Sequence, residues 1–166
     1  MSTEVKAPEL FTERLRLSDM TEEDAPFVVE WRSDPDVYRF FVSPHKITLE
    51  EHLNWFRTRY RFDNDRYDWV AFSKENEPVG IFGARREDEH SETAEVSYIL
   101  SPKHYGKGYA GEAVERIIAF CREQWECHTV IAEIHKNNIR SLGFIKRLGF
   151  ELQSENGDFV IYSRKI

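Results

Sequence analysis

The sequence predicts a single α/β domain over residues 1–166, of the mixed α+β kind. Three observations carry that expectation. Strand-like and helix-like patterns follow one another in the order β-α-α-β-β-β-α-β-α-β-β, with no internal repeat, linker or low-complexity tract. One strand, Thr93–Leu100, runs straight into a glycine-rich turn that opens an amphipathic helix. The chain closes on two short strands flanking Glu155-Asn156-Gly157-Asp158, a turn signal.

Each element has its own local warrant. Thr12–Leu17 alternates as a first strand. Thr21-Glu22-Glu23-Asp24 is a helix-start signal, with Phe27, Val28 and Trp31 on one face until Pro35. Thr48-Leu49-Glu50-Glu51 is a second, followed by Leu53, Phe56 and Tyr60 at helical spacing. Tyr67–Ser73 and Val79–Arg86 read as strands joined by a polar turn at 74–78. After Thr93–Leu100 come a helix over Tyr109–Gln124, a β-branched strand over Thr129–His135 and a helix over Asn138–Leu148. Phe150–Gln153 and Phe159–Arg164 form the closing hairpin.

Composition narrows the class. The 40% hydrophobic and 14% aromatic content is enough for a real core and argues against disorder. No run approaches the roughly 20 apolar residues of a membrane span, and charges occupy the N-terminus where a signal peptide needs an apolar stretch. Cys121 and Cys127 have neither metal-ligand spacing nor disulfide density, and Cys121 falls on the apolar face of its helix. A cytoplasmic protein without a metal is expected. The net charge of −7 argues against nucleic-acid binding.

The segment Ser101-Pro102-Lys103-His104-Tyr105-Gly106-Lys107-Gly108-Tyr109-Ala110-Gly111 is the most informative stretch. Gly106 and Gly108 permit a tight turn and close backbone approach to a ligand. The helix behind them adds unpaired N–H groups and a positive dipole end, so strand, turn and helix start together make an anion site. A P-loop is excluded, because Tyr109 stands where Lys is required. The dinucleotide pattern G-x-G-x-x-G matches formally at Gly106, Gly108 and Gly111, but no parallel βαβ pattern precedes it.

A second signal lies thirty residues on: Lys136-Asn137-Asn138-Ile139-Arg140-Ser141, a helix, then Leu148-Gly149-Phe150. Asn138 suits a helix cap and Gly149 a residue just past a helix end. The two segments together resemble the GNAT superfamily of N-acyltransferases. Its acyl-CoA loop, [QR]-x-x-G-x-[GA], aligns on Tyr105 to Ala110, with Tyr105 replacing Gln or Arg. Its N-x-x-S/A, helix, L-G-F segment aligns on Asn138, Ser141 and Leu148-Gly149-Phe150. Leu10–Leu17 is similar to its first strand, and Gly-Lys-Gly-Tyr-Ala-x-Glu-Ala resembles the branch acting on ribosomal-protein N-termini, polyamines and amino sugars.

The resemblance implies a mixed, mostly antiparallel sheet with helices on both faces. It also implies that Thr93–Leu100 and Thr129–His135 splay around the pantetheine arm of acetyl-CoA. Contacts are expected from Tyr98, Ile99 and Leu100, from Tyr105, Gly106, Lys107, Gly108, Tyr109 and Ala110, and from Asn138, Ser141 and Lys146. Charge agrees. Residues 96–111 carry Lys103 and Lys107 and no acid, and residues 134–150 carry Lys136, Arg140, Lys146 and Arg147 and no acid. A polyanionic cofactor needs both.

The implied reaction is acetyl transfer from acetyl-CoA to a primary amine by direct attack in a ternary complex. Alkylamines titrate near 10.4, so a proton acceptor is required, and Glu95 on the strand feeding the loop is the candidate. Relatives often place a tyrosine acid where this chain has Ile145, which leaves Ser141 or water to assist the thiolate. Trp31, Tyr38, His52 and Trp55, with Phe40 and Phe41, are the candidate acceptor-pocket residues. The acidic surplus of residues 1–95 favours a cationic acceptor, a small molecule or peptide amine, bound by a monomer or homodimer. A nucleotide-binding module using the same loop and a catalytically silent acyl-CoA-binding protein are the alternatives.

Overall fold

The structure, a computed structural model, describes residues 7–166. Eight strands form one sheet: β1 (Leu10–Phe11), β2 (Arg16–Asp19), β3 (Arg66–Phe72), β4 (Pro78–Arg85), β5 (Thr93–Leu100), β6 (Thr129–His135), β7 (Glu151–Asn156) and β8 (Phe159–Lys165). Their spatial order is β1-β2-β3-β4-β5-β6-β8-β7, antiparallel throughout except for β5 against β6. The helices are α1 (Ala25–Arg32), α2 (Pro35–Tyr38), α3 (Leu49–Thr58), α4 (Tyr109–Glu123) and α5 (Ile139–Arg147).

Strand alternation gives the sheet two apolar faces. On one, Trp69, Phe82, Ala84, Ala94 and Val96 meet Ala113, Val114, Ile117, Ile118 and Cys121 of α4 and Ile145 of α5. The α4 residues recur at three- and four-residue spacing, which puts them on a single helix face. Burial pushes the Cys121 thiol up to about 12, so it is an inert core group, as its place in the helix predicts. On the other face, Val70 and Ile81 meet Met20, Val28 and Trp31, with Tyr60 closing the layer.

Two elements depart from the sequence reading. The expected strand Thr12–Leu17 is a turn over Thr12 to Leu15, and only Arg16 and Leu17 are strand, the start of β2: the Thr12 N–H donates to the Leu15 carbonyl (2.9 Å), and the Leu15 N–H donates to Thr12 Oγ1 (3.0 Å). Alternation in sequence concealed it because the turn's donors are drawn away to Glu112, a hundred residues later. The short helix α2 was also not anticipated. Asp34 caps it, its carboxylate accepting from the Asp36 N–H (2.9 Å), and Pro35 occupies the first turn, where a missing N–H costs nothing.

The β5–β6 pair sets up the site. Its parallel rungs join Thr93 to Thr129, Ala94 to Val130 and Glu95 to Ile131, and then end. β5 continues beside β4 to Leu100, and β6 continues beside β8 to His135. Gly80 lets β5 lie tight against β4, since a Cβ there would stand 2.6 Å from the Ile99 carbonyl oxygen. The Tyr98 ring wedges into the opening, edge-on to Phe144 of α5 with centroids 4.9 Å apart.

One buried group gives the fold a measurable pH dependence. His52 of α3 is fully buried, and neither ring nitrogen has a hydrogen-bond partner among the described residues. Burial, then repulsion from the Arg32 guanidinium, pushes it down from 6.5 to about 4. Because the folded value lies below the unfolded one, this group's stability is present above about pH 6.5 and is lost as pH falls toward 4. Urea unfolding across that window is expected to show a slope of up to about 1.4 kcal/mol per pH unit that His52→Leu removes.

Candidate acyl-CoA site

A cavity of about 920 Å³ occupies the parting between β5 and β6, within the range of ligand pockets. Its lining includes both parities of β5, Val96 and Tyr98 from the α4 face and Glu95, Ser97 and Ile99 from the other. The cavity therefore passes through the sheet. One mouth holds the glycine loop and α5, and the other holds α1, α2 and the strand residues Arg66 and Asp68.

At the first mouth, Gly106 and Gly108 both have φ of 80°. That left-handed conformation is costly for any residue with a Cβ, which is why the loop needs glycine at both positions. Nothing lies within 4 Å of where a Cβ of Gly106 would stand. Among the described residues, the N–H groups of Gly106 to Gly111 find no hydrogen-bond acceptor. Unpaired donors at the start of a 15-residue helix form a cradle suited to an anion.

The loop is anchored by residues the sequence reading missed. Arg14 Nη1 donates to the Lys107 carbonyl (2.8 Å), Nε donates to Glu112 (2.8 Å), and the guanidinium lies 4.6 Å from the Tyr109 ring centroid. The Glu112 carboxylate also accepts from Thr12 Oγ1 and from the Arg14 N–H (2.9 Å). Burial raises Glu112, but these hydrogen bonds outweigh it and leave the carboxyl below its ordinary range. The only signal for this node was the likeness of 10–17 to a family strand, which places Arg14 without revealing its contact.

The remaining cofactor candidates divide. Tyr98, Ile99, Leu100, Tyr105, Gly106, Gly108, Ala110, Asn138 and Ser141 line the cavity. Tyr105 holds the Arg140 guanidinium 4.0 Å from its ring centroid, so the residue replacing Gln or Arg keeps a cation at this mouth. Asn138 caps α5, accepting from the Ser141 N–H (3.2 Å), and Ser141 Oγ lies 2.6 Å from the Tyr98 hydroxyl. Burial pushes Tyr98 up to about 12, so it stays protonated. Lys107 and Tyr109 do not line the cavity. Lys107 Nζ turns back to His104 Nδ1 (3.2 Å), and the Tyr109 ring packs under Arg14. Lys146 lies beside Tyr162 of β8 (6.0 Å), and Arg147, one residue on, faces the cavity instead.

At the second mouth, Glu95 lines the cavity with its carboxylate 2.6 Å from Arg85 Nη2. Trp31, Tyr38, His52 and Trp55 do not line it. Trp31 packs on Phe27 (centroids 5.1 Å apart), and His52 and Trp55 pack on each other (5.7 Å). Helix-spaced aromatics were drawn to the sheet by their apolar area, leaving the wall to charged and loop residues. Of the candidate aromatics, Phe40 and Phe41 alone reach the lining, alongside Arg32, Asp36, Arg66 and Asp68.

A sheet parted along its one parallel strand pair, with a glycine turn and helix start behind the gap, defines an acyl-CoA-dependent acyltransferase. The chain belongs to the GNAT family: the Acetyltransferase (GNAT) domain matches residues 14–151. A Bacillus licheniformis protein named "Uncharacterized N-acetyltransferase p20" is 27% identical over 158 residues, 90% of this chain and 86% of that one. The "Uncharacterized N-acetyltransferase YnaD" of Bacillus subtilis is 28% identical over 139 residues, 83% of this chain and 79% of that one. Among solved structures, the spermidine N-acetyltransferase from Vibrio cholerae in complex with CoA and spermine superposes with a TM-score of 0.83 at 17% identity, covering 93% of this chain and 96% of that one. At that identity the likeness carries the fold alone.

The Arg14 node is testable apart from catalysis. Arg14→Met removes the tie to Lys107 and Glu112 and is expected to weaken CoA binding about five- to tenfold in calorimetry, roughly 1–1.4 kcal/mol. A folded variant with wild-type affinity would show that the loop holds its shape unaided.

Proposed function

We propose that this protein transfers an acetyl group from acetyl-CoA to a primary amine by direct attack in a ternary complex. The observation that carries the reading is the cavity through the sheet, which gives a cofactor at one mouth and an acceptor at the other a common meeting point along β5. Acetyl-CoA supplies an activated acyl group and a thiolate leaving group.

The chain's residues supply the rest. The free N–H groups of 106–111 and the α4 dipole take the pyrophosphate, with Arg140 at the same mouth and Arg147 also in the lining. Backbone groups of β5 beyond Glu95, released from pairing with β6, are available to the pantetheine arm and to charge developing on the thioester oxygen. Glu95 receives the amine proton, directly or through water, with Arg85 fixing its carboxylate. Ile145 is fully buried, so the tyrosine acid of many relatives has no counterpart at that position. The hydrogen-bonded Tyr98–Ser141 pair provides hydroxyl donors at the cavity wall instead. A thiol ionises near 8.5, so the leaving group needs little help. The acceptor is a small-molecule or peptide amine, with polyamines, amino sugars and protein N-termini as the candidate classes.

Glu95→Gln keeps size and hydrogen bonding and removes the base. Turnover on the best amine of an acceptor panel is expected to fall by roughly 10²–10⁴, with acetyl-CoA affinity unchanged, and Ser141→Ala is expected to cost less. The residual rate should rise with pH as free amine becomes available. A Glu95→Gln enzyme within threefold of wild type would return proton removal to water. Acetyl-CoA binding without transfer to any amine would indicate a binding protein.

A further inference from the structure

The wall at the acceptor mouth contains a cation without a counter-ion. Arg32 closes α1, and its side chain lines the cavity with most of its surface covered. Among the described residues it forms no hydrogen bond and no ion pair. Its one close contact of note is the Trp55 ring, with the guanidinium carbon 5.6 Å from the centroid. The neighbouring acids are already engaged: Asp68 pairs with Arg66 Nε (3.0 Å) and Glu95 with Arg85 Nη2 (2.6 Å). Burial lowers Arg32, and Arg66 beside it works in the same direction against the attraction of Asp68. A guanidinium in such a place is expensive unless something anionic arrives to meet it. Its planar fork matches a carboxylate or a phosphate, two oxygens at a time.

We propose that the acceptor is an amine bearing its own anionic group, a carboxylate or a phosphate, which docks on Arg32 while the amine is presented toward Glu95 on β5. The proposal rests on the acetyl-transfer reading and narrows its acceptor. It also reverses the expectation drawn from the acidic surplus of residues 1–95. Acids such as Glu50, Glu51, Glu87, Asp88 and Glu89 are exposed and outside the cavity lining. Of the lining acids, Asp36 is paired at the rim with Arg39 (3.8 Å), and only Glu133 is without an ion pair among the described residues. A polyamine would carry several positive charges into a wall already holding Arg32, Arg66 and Arg85. An amine with an anionic arm meets an unpaired cation.

The test uses the CoA-bound protein and matched amines in calorimetry: glucosamine against glucosamine 6-phosphate, alanine against alaninamide, and spermidine. The anionic member of at least one pair is expected to bind at least tenfold more tightly than its partner and than spermidine. The pair that discriminates tells phosphate from carboxylate. Arg32→Gln should bring the preference below threefold, and Arg32→Lys, which keeps the charge without the fork, should retain part of it. Equal binding within both pairs, no detectable binding of either anionic amine, stronger binding of spermidine, or an undiminished preference in folded Arg32→Gln would each overturn the proposal. Should Arg32→Gln fail to fold, the wild-type pairs and Arg32→Lys decide. Acetyl transfer is scored separately by CoA release, so an anion preference without transfer would count against the enzymatic reading and leave the docking site standing.

Discussion

The site depends on one interruption in a hydrogen-bond ladder. β5 and β6 share three parallel rungs and then part, so main-chain groups that a sheet would normally pair are left facing a cavity. Unpaired peptide groups buried without partners are costly, so a gap of this kind persists only where a ligand or water can meet them. Both strands are held from their outer sides, β5 by β4 and β6 by β8, and this keeps the parting open without distorting the rest of the sheet. Tyr98, packed on Phe144 and bonded to Ser141, ties the wall of the gap to α5.

The second constraint is how the glycine loop is held. Loops with two left-handed residues are easily deformed, and an anion cradle works only if its N–H groups converge before the ligand arrives. Here the turn between β1 and β2 crosses to the start of α4, where Arg14 and Thr12 converge on Glu112 and Arg14 reaches the Lys107 carbonyl. The contact closes a sequence separation of nearly a hundred residues, so the glycine-loop end of the site assembles only when both halves of the sheet are in place.

Charge is distributed unevenly between the cavity and the rest of the molecule. The molecule is acidic overall, at −7, yet its cavity wall carries five arginines: Arg140 and Arg147 at the mouth with the glycine loop, and Arg32, Arg66 and Arg85 at the other. Exposed charges are screened within a Debye length of about 8 Å at physiological salt, whereas the half-buried Arg32 and Arg66 are screened much less. The net charge of the chain is therefore a poor guide to what its cavity selects.

The sequence alone determined most of the strands and helices and the glycine loop, because these rest on local signals, while the parting of β5 and β6 was implied only by the resemblance to a family. Glycines that must turn left-handed, a helix start behind them, the Asn138 cap and the alternation of apolar residues are each written within a few neighbouring positions. Tertiary structure alone decided what depends on distance across the chain. It turned the first part of the expected first strand into the anchor for Glu112, placed Trp31, His52 and Trp55 in the packing away from the cavity lining, and left Lys146 out of that lining while Arg147 joined it. It also left Arg32 in the wall while Asp68 and Glu95 paired with Arg66 and Arg85. Whether a charged residue finds a partner is settled by side chains from separate strands and helices competing for the same few ångströms, and no local pattern encodes that competition.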